Sequence, residues 1–335
     1  MAQPSLPNRR KSTPDRNHPF ARPMPPTFQG SLVAVPTPFR DGALDLESFR
    51  EIVNLHAAAG TSAIVVSGTT GECATLTEDE RRTLLRAAIE FADERLPVIA
   101  GVGTNCTRTT VELARFAAAS GAAGLLVVTP YYNRPSRRGL LNHFTAVAQA
   151  APIPIILYNI PRRTGSDLTP DIVAELCARQ RNIVAIKEAS GDLERAAELL
   201  RTGHISVLCG EDAQIRAFMA LGADGAVNVT GNILPDEIAE LVECARPQEA
   251  GRPCANTRAE HLEESLAPLV RDLFIETNPV PLKSAMARLE RCTDEVRAPL
   301  APLEAKNVAA IEETMAAVVQ GMLQSCANTR PNQTL

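Results

Sequence analysis

Asn182-Ile183-Val184-Ala185-Ile186-Lys187-Glu188-Ala189-Ser190-Gly191 is the stretch from which the rest of the chain can be read. Four apolar residues in succession fit a strand buried on both faces, the pattern of a parallel sheet covered by helices. Lys187 ends that strand. Burial there penalises an ammonium and leaves more of the free amine, which is the form a Schiff-base nucleophile needs. Taken alone, a strand-end lysine more often reaches solvent, so its neighbours along the chain decide the matter.

Short apolar runs of the same kind recur at residues 32–35, 63–66, 98–100, 125–128, 153–157, 183–186, 206–208 and 226–229. Stretches of helical periodicity lie between them. Thr77 followed by Glu80 forms a capping box ahead of Leu84, Leu85, Ala88 and Ile89. Thr169-Pro170 places a cap residue before a proline at the first helical position. Residues 57–66 (AAAGTSAIVV), 118–128 (AASGAAGLLVV) and 219–229 (MALGADGAVNV) echo one another as helix end, glycine, small residues, strand. Repetition of one unit suits a fold of like parts. Eight strands alternating with helices predict an α/β fold, a TIM (β/α)8 barrel. A doubly wound open sheet is the alternative, but Val35-Pro36-Thr37-Pro38 follows the first strand where a glycine fingerprint would stand.

Residues 1–28 hold seven prolines and an Arg9-Arg10-Lys11 cluster, a composition that reads as a basic flexible tail. The barrel is expected over 29–234, an all-helical extension over 235–324, and a second flexible tail over 325–335. Within the extension, residues 260–274 are amphipathic and 245–258 read as a loop. The pentapeptide Cys-Ala-Asn-Thr-Arg occurs at 254–258 and again at 326–330, and no physical account of that repeat presents itself. Of the 335 residues, 45% are hydrophobic and 22% charged, as in ordinary soluble proteins. The net charge of −5 gives no footprint for nucleic acid or anionic lipid, and no apolar run approaches a membrane span. Eight cysteines without Cys-x-x-Cys or zinc spacing predict a reducing cytoplasm, no disulfide and no metal.

The ends of the barrel strands should carry the chemistry. After the second comes Gly68-Thr69-Thr70-Gly71-Glu72, with two hydroxyls and backbone N–H groups suited to a carboxylate, although in isolation it is a fair turn sequence. After the fourth comes Thr129-Pro130-Tyr131-Tyr132-Asn133, and after the fifth Tyr158-Asn159-Ile160-Pro161-Arg162-Arg163-Thr164-Gly165. All three tyrosines of the protein therefore gather at one end, where a phenol can pass protons beside an amine and an arginine can grip a carboxylate.

These runs, with 129–135 (TPYYNRP), 158–165 (YNIPRRTG) and 186–188 (IKE), resemble the dihydrodipicolinate synthase family, pyruvate-dependent class I aldolases related to N-acetylneuraminate lyase. The resemblance covers roughly residues 29–324, and its four motifs come in order. It implies condensation of pyruvate with L-aspartate 4-semialdehyde to give 4-hydroxy-tetrahydrodipicolinate, toward diaminopimelate and lysine. Lys187 would form the Schiff base with pyruvate, with no other cofactor. Tyr158 would relay protons, linked through Thr69 to Tyr132 from a neighbouring subunit. Thr70 would hold the pyruvate carboxylate, Arg163 that of the aldehyde, and the main chain at Gly210 and Val227 would complete the pocket. The family is commonly a homotetramer, a dimer of dimers.

Two rivals remain. Neuraminate lyases and 2-keto-3-deoxy sugar acid aldolases share the scaffold, but the lyases generally resemble Gly-Ser-Thr-Gly-Glu where this chain has a second threonine, and they lack a match to Arg163. An inactive barrel kept as a binding protein would have lost Lys187 or Tyr158. Asn105 and Tyr131 match positions lining an allosteric cleft for lysine between subunits. Where sensitive enzymes resemble two histidines, this chain has Glu78 and Arg81, and Thr109 stands where they place an acid. Weak or absent inhibition by lysine is the expectation.

Overall fold

The computed structural model describes residues 28–247 and 254–328. Eight parallel strands close into a barrel in chain order: β1 (Gly30–Ala34), β2 (Ala63–Val66), β3 (Val98–Gly101), β4 (Gly124–Val128), β5 (Ile155–Asn159), β6 (Ile183–Glu188), β7 (Ser206–Cys209) and β8 (Gly225–Asn228). Closure pairs β1 with β8, Leu32 opposite Val227. The strands fall on the eight apolar runs with one displacement. Pairing of β5 starts after Pro154, which has no N–H to give a ladder, so Tyr158 and Asn159 lie inside the strand.

Alternate residues point to opposite sides of a strand. One set, including Leu32, Val65, Ile99, Leu126, Ile156, Ala185, Leu208 and Val227, fills the barrel interior as a separate buried cluster. The other set, including Val33, Ile64, Leu125, Leu157 and Ile186, belongs to the larger core with the surrounding helices. Those helices are α1 (Leu46–Ala58), α2 (Glu78–Ala92), α3 (Thr107–Ala119), α4 (Arg137–Ala150), α5 (Pro170–Arg179), α6 (Leu193–Thr202), α7 (Ile215–Ala220) and α8 (Pro235–Cys244). The capping box of α2 forms as expected, Thr77 N–H donating to Glu80 Oε2 at 2.8 Å and Glu80 N–H to Thr77 Oγ1 at 3.2 Å. At α5 Thr169 stands at the N-cap and Pro170 at the first helical position as expected, but Thr169 makes no side-chain cap bond and donates its hydroxyl to Asp171 instead.

The C-terminal helices are α9 (Cys254–Leu273), α10 (Val280–Arg288) and α11 (Ala305–Asn328). Leu262, Leu266, Leu269 and Leu273 bury the apolar stripe of α9.

Several boundaries differ from the sequence reading. Phe28, assigned to the tail, is buried in the interior cluster; the tail's other residues lie outside those described. Helix α8, assigned to the extension, buries Ile238, Leu241 and Val242 and completes the eighth strand–helix unit. Cys254–Leu273 begins inside the expected loop, so the first Cys-Ala-Asn-Thr-Arg copy opens a helix. The last helix runs to Asn328, four residues past the expected 324, and the end of the second copy lies outside the described residues.

Candidate active site

Period-two alternation puts Lys187 on the same side of β6 as Ala185, facing the barrel interior. Register sets Tyr158 of β5 beside it. Only 7% of Lys187 is exposed, and its Nζ lies 4.5 Å from the centre of the Tyr158 ring. The backbone of Gly210, just past β7, closes on the same side chain. A Cβ built there would lie 3.0 Å from Lys187 Cε and 2.6 Å from Ala189 Cβ, so only glycine lets the chain pass. Val227 is buried in the interior cluster. Lys187, Tyr158, Gly210 and Val227 are therefore gathered at the carboxyl ends of the strands.

On the outer side of the same two strands lies a buried polar network absent from the sequence reading. Asn159 and Glu188 are register partners, and Asn159 Nδ2 donates to Glu188 Oε2 at 3.1 Å and to Asp167 Oδ1 at 3.0 Å. Ser190 N–H donates to Glu188 Oε1 at 2.7 Å, and Arg195 grips Asp167 at 2.8 Å and 2.9 Å. This network fixes the tops of β5 and β6 against each other, and with them the inward pair Tyr158 and Lys187. Burial pushes the Glu188 carboxyl above the usual range, against the pull of its Ser190 and Asn159 donors. Burial likewise raises Glu211 and Asp212, both near enough to Lys187 for its charge to oppose the shift.

The 68–72 loop leaves β2 with Ser67 at φ 56° and ends with Glu72 at φ 53°, both in the left-handed region. It lies directly on β3: a Cβ on Gly101 would sit 2.3 Å from the Ser67 carbonyl oxygen. Thr37 Oγ1 donates to Gly71 O at 2.7 Å. Thr70 is buried and Thr69 half-buried. From α10 and the segments before and after it come three more ties. Lys283 Nζ donates to Glu72 Oε1 at 2.5 Å and to Glu295 O at 2.6 Å, Arg297 N–H donates to Glu72 Oε2 at 2.9 Å, and Asn278 Nδ2 donates to Thr70 Oγ1 at 2.9 Å. Lys283 and Glu72 form an ion pair with both side chains fully buried, and Lys283 Nζ sits 4.2 Å from the centre of the Phe39 ring. Desolvation depresses the Lys283 ammonium, with Glu72 opposing it.

The loop after β4 is different. Tyr132 takes φ 71° and is 90% exposed. Its N–H donates to Thr164 O at 3.2 Å, while Thr129 Oγ1 donates to Thr164 Oγ1 at 3.0 Å. Asn133 Nδ2 donates to Asn105 O at 2.8 Å, tying Asn105 to the loop that carries Tyr131; Asn105 and Tyr131 are both half-buried. Among the described residues, the hydroxyls of Tyr158, Thr69 and Tyr132 make no hydrogen bond, so the expected relay is not closed within one protomer. Arg163 is exposed on the helical turn Pro161–Thr164 and has no ion-pair partner among the described residues, whereas Arg162 is held by Glu211 at 2.7 Å and 2.9 Å. Arg81 donates to the Cys73 carbonyl. The six described cysteine side chains are free, no group of three metal-ligating side chains gathers among the described residues, and no described helix is long and apolar enough to cross a membrane.

A closed (β/α)8 barrel with a buried lysine and tyrosine side by side at its carboxyl end defines a class of amine-bearing barrel enzymes. The chain belongs to the dihydrodipicolinate synthetase family, whose profile matches residues 27–318. It is 44% identical over 295 residues to the 4-hydroxy-tetrahydrodipicolinate synthase of Geobacter metallireducens, covering 88% of this chain and 98% of that one. The crystal structure of dihydrodipicolinate synthase from Aquifex aeolicus superposes with a TM-score of 0.83 at 41% identity, over 87% of this chain and 98% of that one. The chloride-inhibited dihydrodipicolinate synthase from Acinetobacter baumannii, complexed with pyruvate, gives 0.82 at 38% identity, over 87% and 99%.

Proposed function

We propose that this chain is a 4-hydroxy-tetrahydrodipicolinate synthase, a lyase-class enzyme of the diaminopimelate route to lysine that condenses pyruvate with L-aspartate 4-semialdehyde. The observation that carries the reading is Lys187, buried at the end of β6 against Tyr158, in a chain whose relatives bear that enzyme's name. The Lys187 amine attacks the keto carbon of pyruvate, and loss of water gives an imine. The protonated imine acidifies the neighbouring methyl group, which loses a proton to become an enamine and adds to the aldehyde carbon. Tyr158 stands where a proton must be given and taken at these steps. Thr70 holds the pyruvate carboxylate. Arg163, without an ion-pair partner among the described residues while its neighbour Arg162 is committed to Glu211, orients the carboxylate of the aldehyde.

Completion of the relay through Thr69 calls for Tyr132 of a second copy, so the enzyme works at least as a dimer, and a tetramer of two such pairs fits the family. A cytoplasmic enzyme suits substrates of biosynthesis. Asn105 and Tyr131 would line the family's allosteric cleft, but Arg81 is spent on a backbone carbonyl and Glu78 on Arg82, so little is left there to hold lysine. Lysine titrated into the assay is expected to leave turnover nearly unchanged; half-inhibition at sub-millimolar lysine would break that part of the reading.

The decisive assay follows pyruvate consumption by the purified enzyme, offered aspartate semialdehyde or N-acetylmannosamine. Rapid turnover only with the semialdehyde supports the synthase. Turnover with the sugar keeps Lys187 and Tyr158 in place and overturns the substrate.

A further inference from the structure

Thr70 and Asn278 are 208 residues apart in the chain, yet their side chains share a hydrogen bond at 2.9 Å, in a place where both are buried. The other ties on the 68–72 loop fall on backbone or on Glu72. This one falls on the hydroxyl that, in the function proposed above, meets the pyruvate carboxylate. A hydroxyl has one proton and two acceptor lone pairs. If a donor occupies the acceptor side, the proton is left for another acceptor. If an acceptor stands there instead, it captures the proton and leaves a carboxylate facing lone pairs. Asn278 Nδ2 is such a donor. Among the described residues its Oδ1 is buried without a hydrogen-bond partner, and Thr70 is the group that engages this amide.

We propose that Asn278 is a positioning residue of the pyruvate subsite: by donating to Thr70 Oγ1, its amide sets the hydroxyl so that the single proton points to the substrate carboxylate. The residue comes from the segment between α9 and α10, outside the barrel strands and their loops. The C-terminal helices thereby contribute to substrate recognition as well as to packing. The inference rests on Thr70 holding pyruvate.

Borohydride trapping tests it. Condensation of pyruvate with the amine releases water, and hydride reduces the C=N bond to a stable secondary amine, seen as a gain in mass. The pyruvate concentration giving half-maximal trapping is measured for the wild type, Asn278→Ala, Asn278→Asp, Thr70→Val and the double variant Asn278→Ala/Thr70→Val. Loss of the donor in Asn278→Ala is expected to raise that concentration about tenfold. Asn278→Asp keeps the shape but turns donor into acceptor and adds a negative charge, so about a hundredfold is expected. The aldehyde KM should move little in either. In the Thr70→Val background, Asn278→Ala should cost nothing further, because groups acting through one contact are non-additive.

An unchanged half-saturation in the Asp variant, or full additivity in the double variant, overturns the proposal even if the variants are less stable. Should Asn278→Ala fail to fold, the near-isosteric Asp variant carries the test. If the wild type itself forms no adduct, the failure lies with the Schiff-base reading, and this inference falls with it.

Discussion

The loops after β2 and β4 both serve the mouth of the barrel, and both hold a non-glycine residue in the left-handed region, yet they are treated in opposite ways. The 68–72 loop is tied down by Thr37, Asn278, Lys283 and Arg297 until Thr70 and Glu72 are buried. Tyr132 is held by its backbone alone and projects into solvent. Left-handed residues cost about 1–3 kcal/mol and persist where surrounding structure insists on them. In the first loop that structure is all within one protomer. In the second, a large apolar ring is left outside, which makes sense where another copy receives it. In the function proposed here, one part of the site is finished by the fold and the other by assembly.

Replacing Lys187 with alanine should remove the reaction common to both sides. Turnover is expected to fall to the uncatalysed background, with no borohydride-trapped pyruvate adduct, and near-normal turnover would refute the Schiff-base role. The next largest effect should come from the tied loop. Lys283→Met leaves Glu72 buried without a counter-charge, and Glu72→Gln does the reverse; each should cost about 3–5 kcal/mol in urea unfolding. The double replacement should recover much of that loss, because the desolvation of two charges disappears with the pair. If the double variant is as unstable as the sum of the singles, the pair is not an isolated unit.

Tyr132→Phe tests the other loop. Stability should shift by no more than about 0.5 kcal/mol, as for an exposed position, while kcat falls about a hundredfold if the phenol carries protons. A variant with wild-type kcat would leave the projecting ring as packing only.

The smallest effect distinguishes neither loop but sets the range in which they can be compared. Burial lowers His56 and His143 from 6.5 to about 4. The unfolded chain therefore binds more protons in that window, so the stability these neutral rings contribute is complete above pH 6.5 and is lost as pH falls toward 4. The cost is about 2 kcal/mol per histidine at pH 5. The raised carboxyls of Glu188, Glu211 and Asp212 act in the opposite sense, so the difference between the wild type and His143→Gln isolates the histidine. Equal pH slopes for the two proteins would remove His143 from this account.

Much of this architecture was legible in the chain. Eight apolar runs and their turn residues locate the strands to within two residues, because burial on both faces imprints itself locally. Lys187, Tyr158 and the GTTGE run stand out by their place at strand ends. What escaped the reading depends on partners far away in the chain. Lys283 looks like an ordinary helix lysine until Glu72, 211 residues earlier, is placed against it. Asn278 looks like a turn residue until it meets Thr70. Asn159 and Glu188 could have been suspected, since two strongly polar residues at the ends of two apolar strands in register need each other once buried. Phe28 was hidden by the proline-rich composition before it.

The ties that reach back from Asn278, Lys283 and Arg297 also set an order of events at the ribosome. Barrel closure must wait for β8, since Leu32 has no partner on that side until Val227 has been made. The 68–72 loop must wait longer, until the backbone N–H of Arg297 is available to Glu72. A nascent chain can thus hold its barrel strands and still lack a set 68–72 loop. The last quarter of the protein to be synthesised decides when the molecule becomes an enzyme.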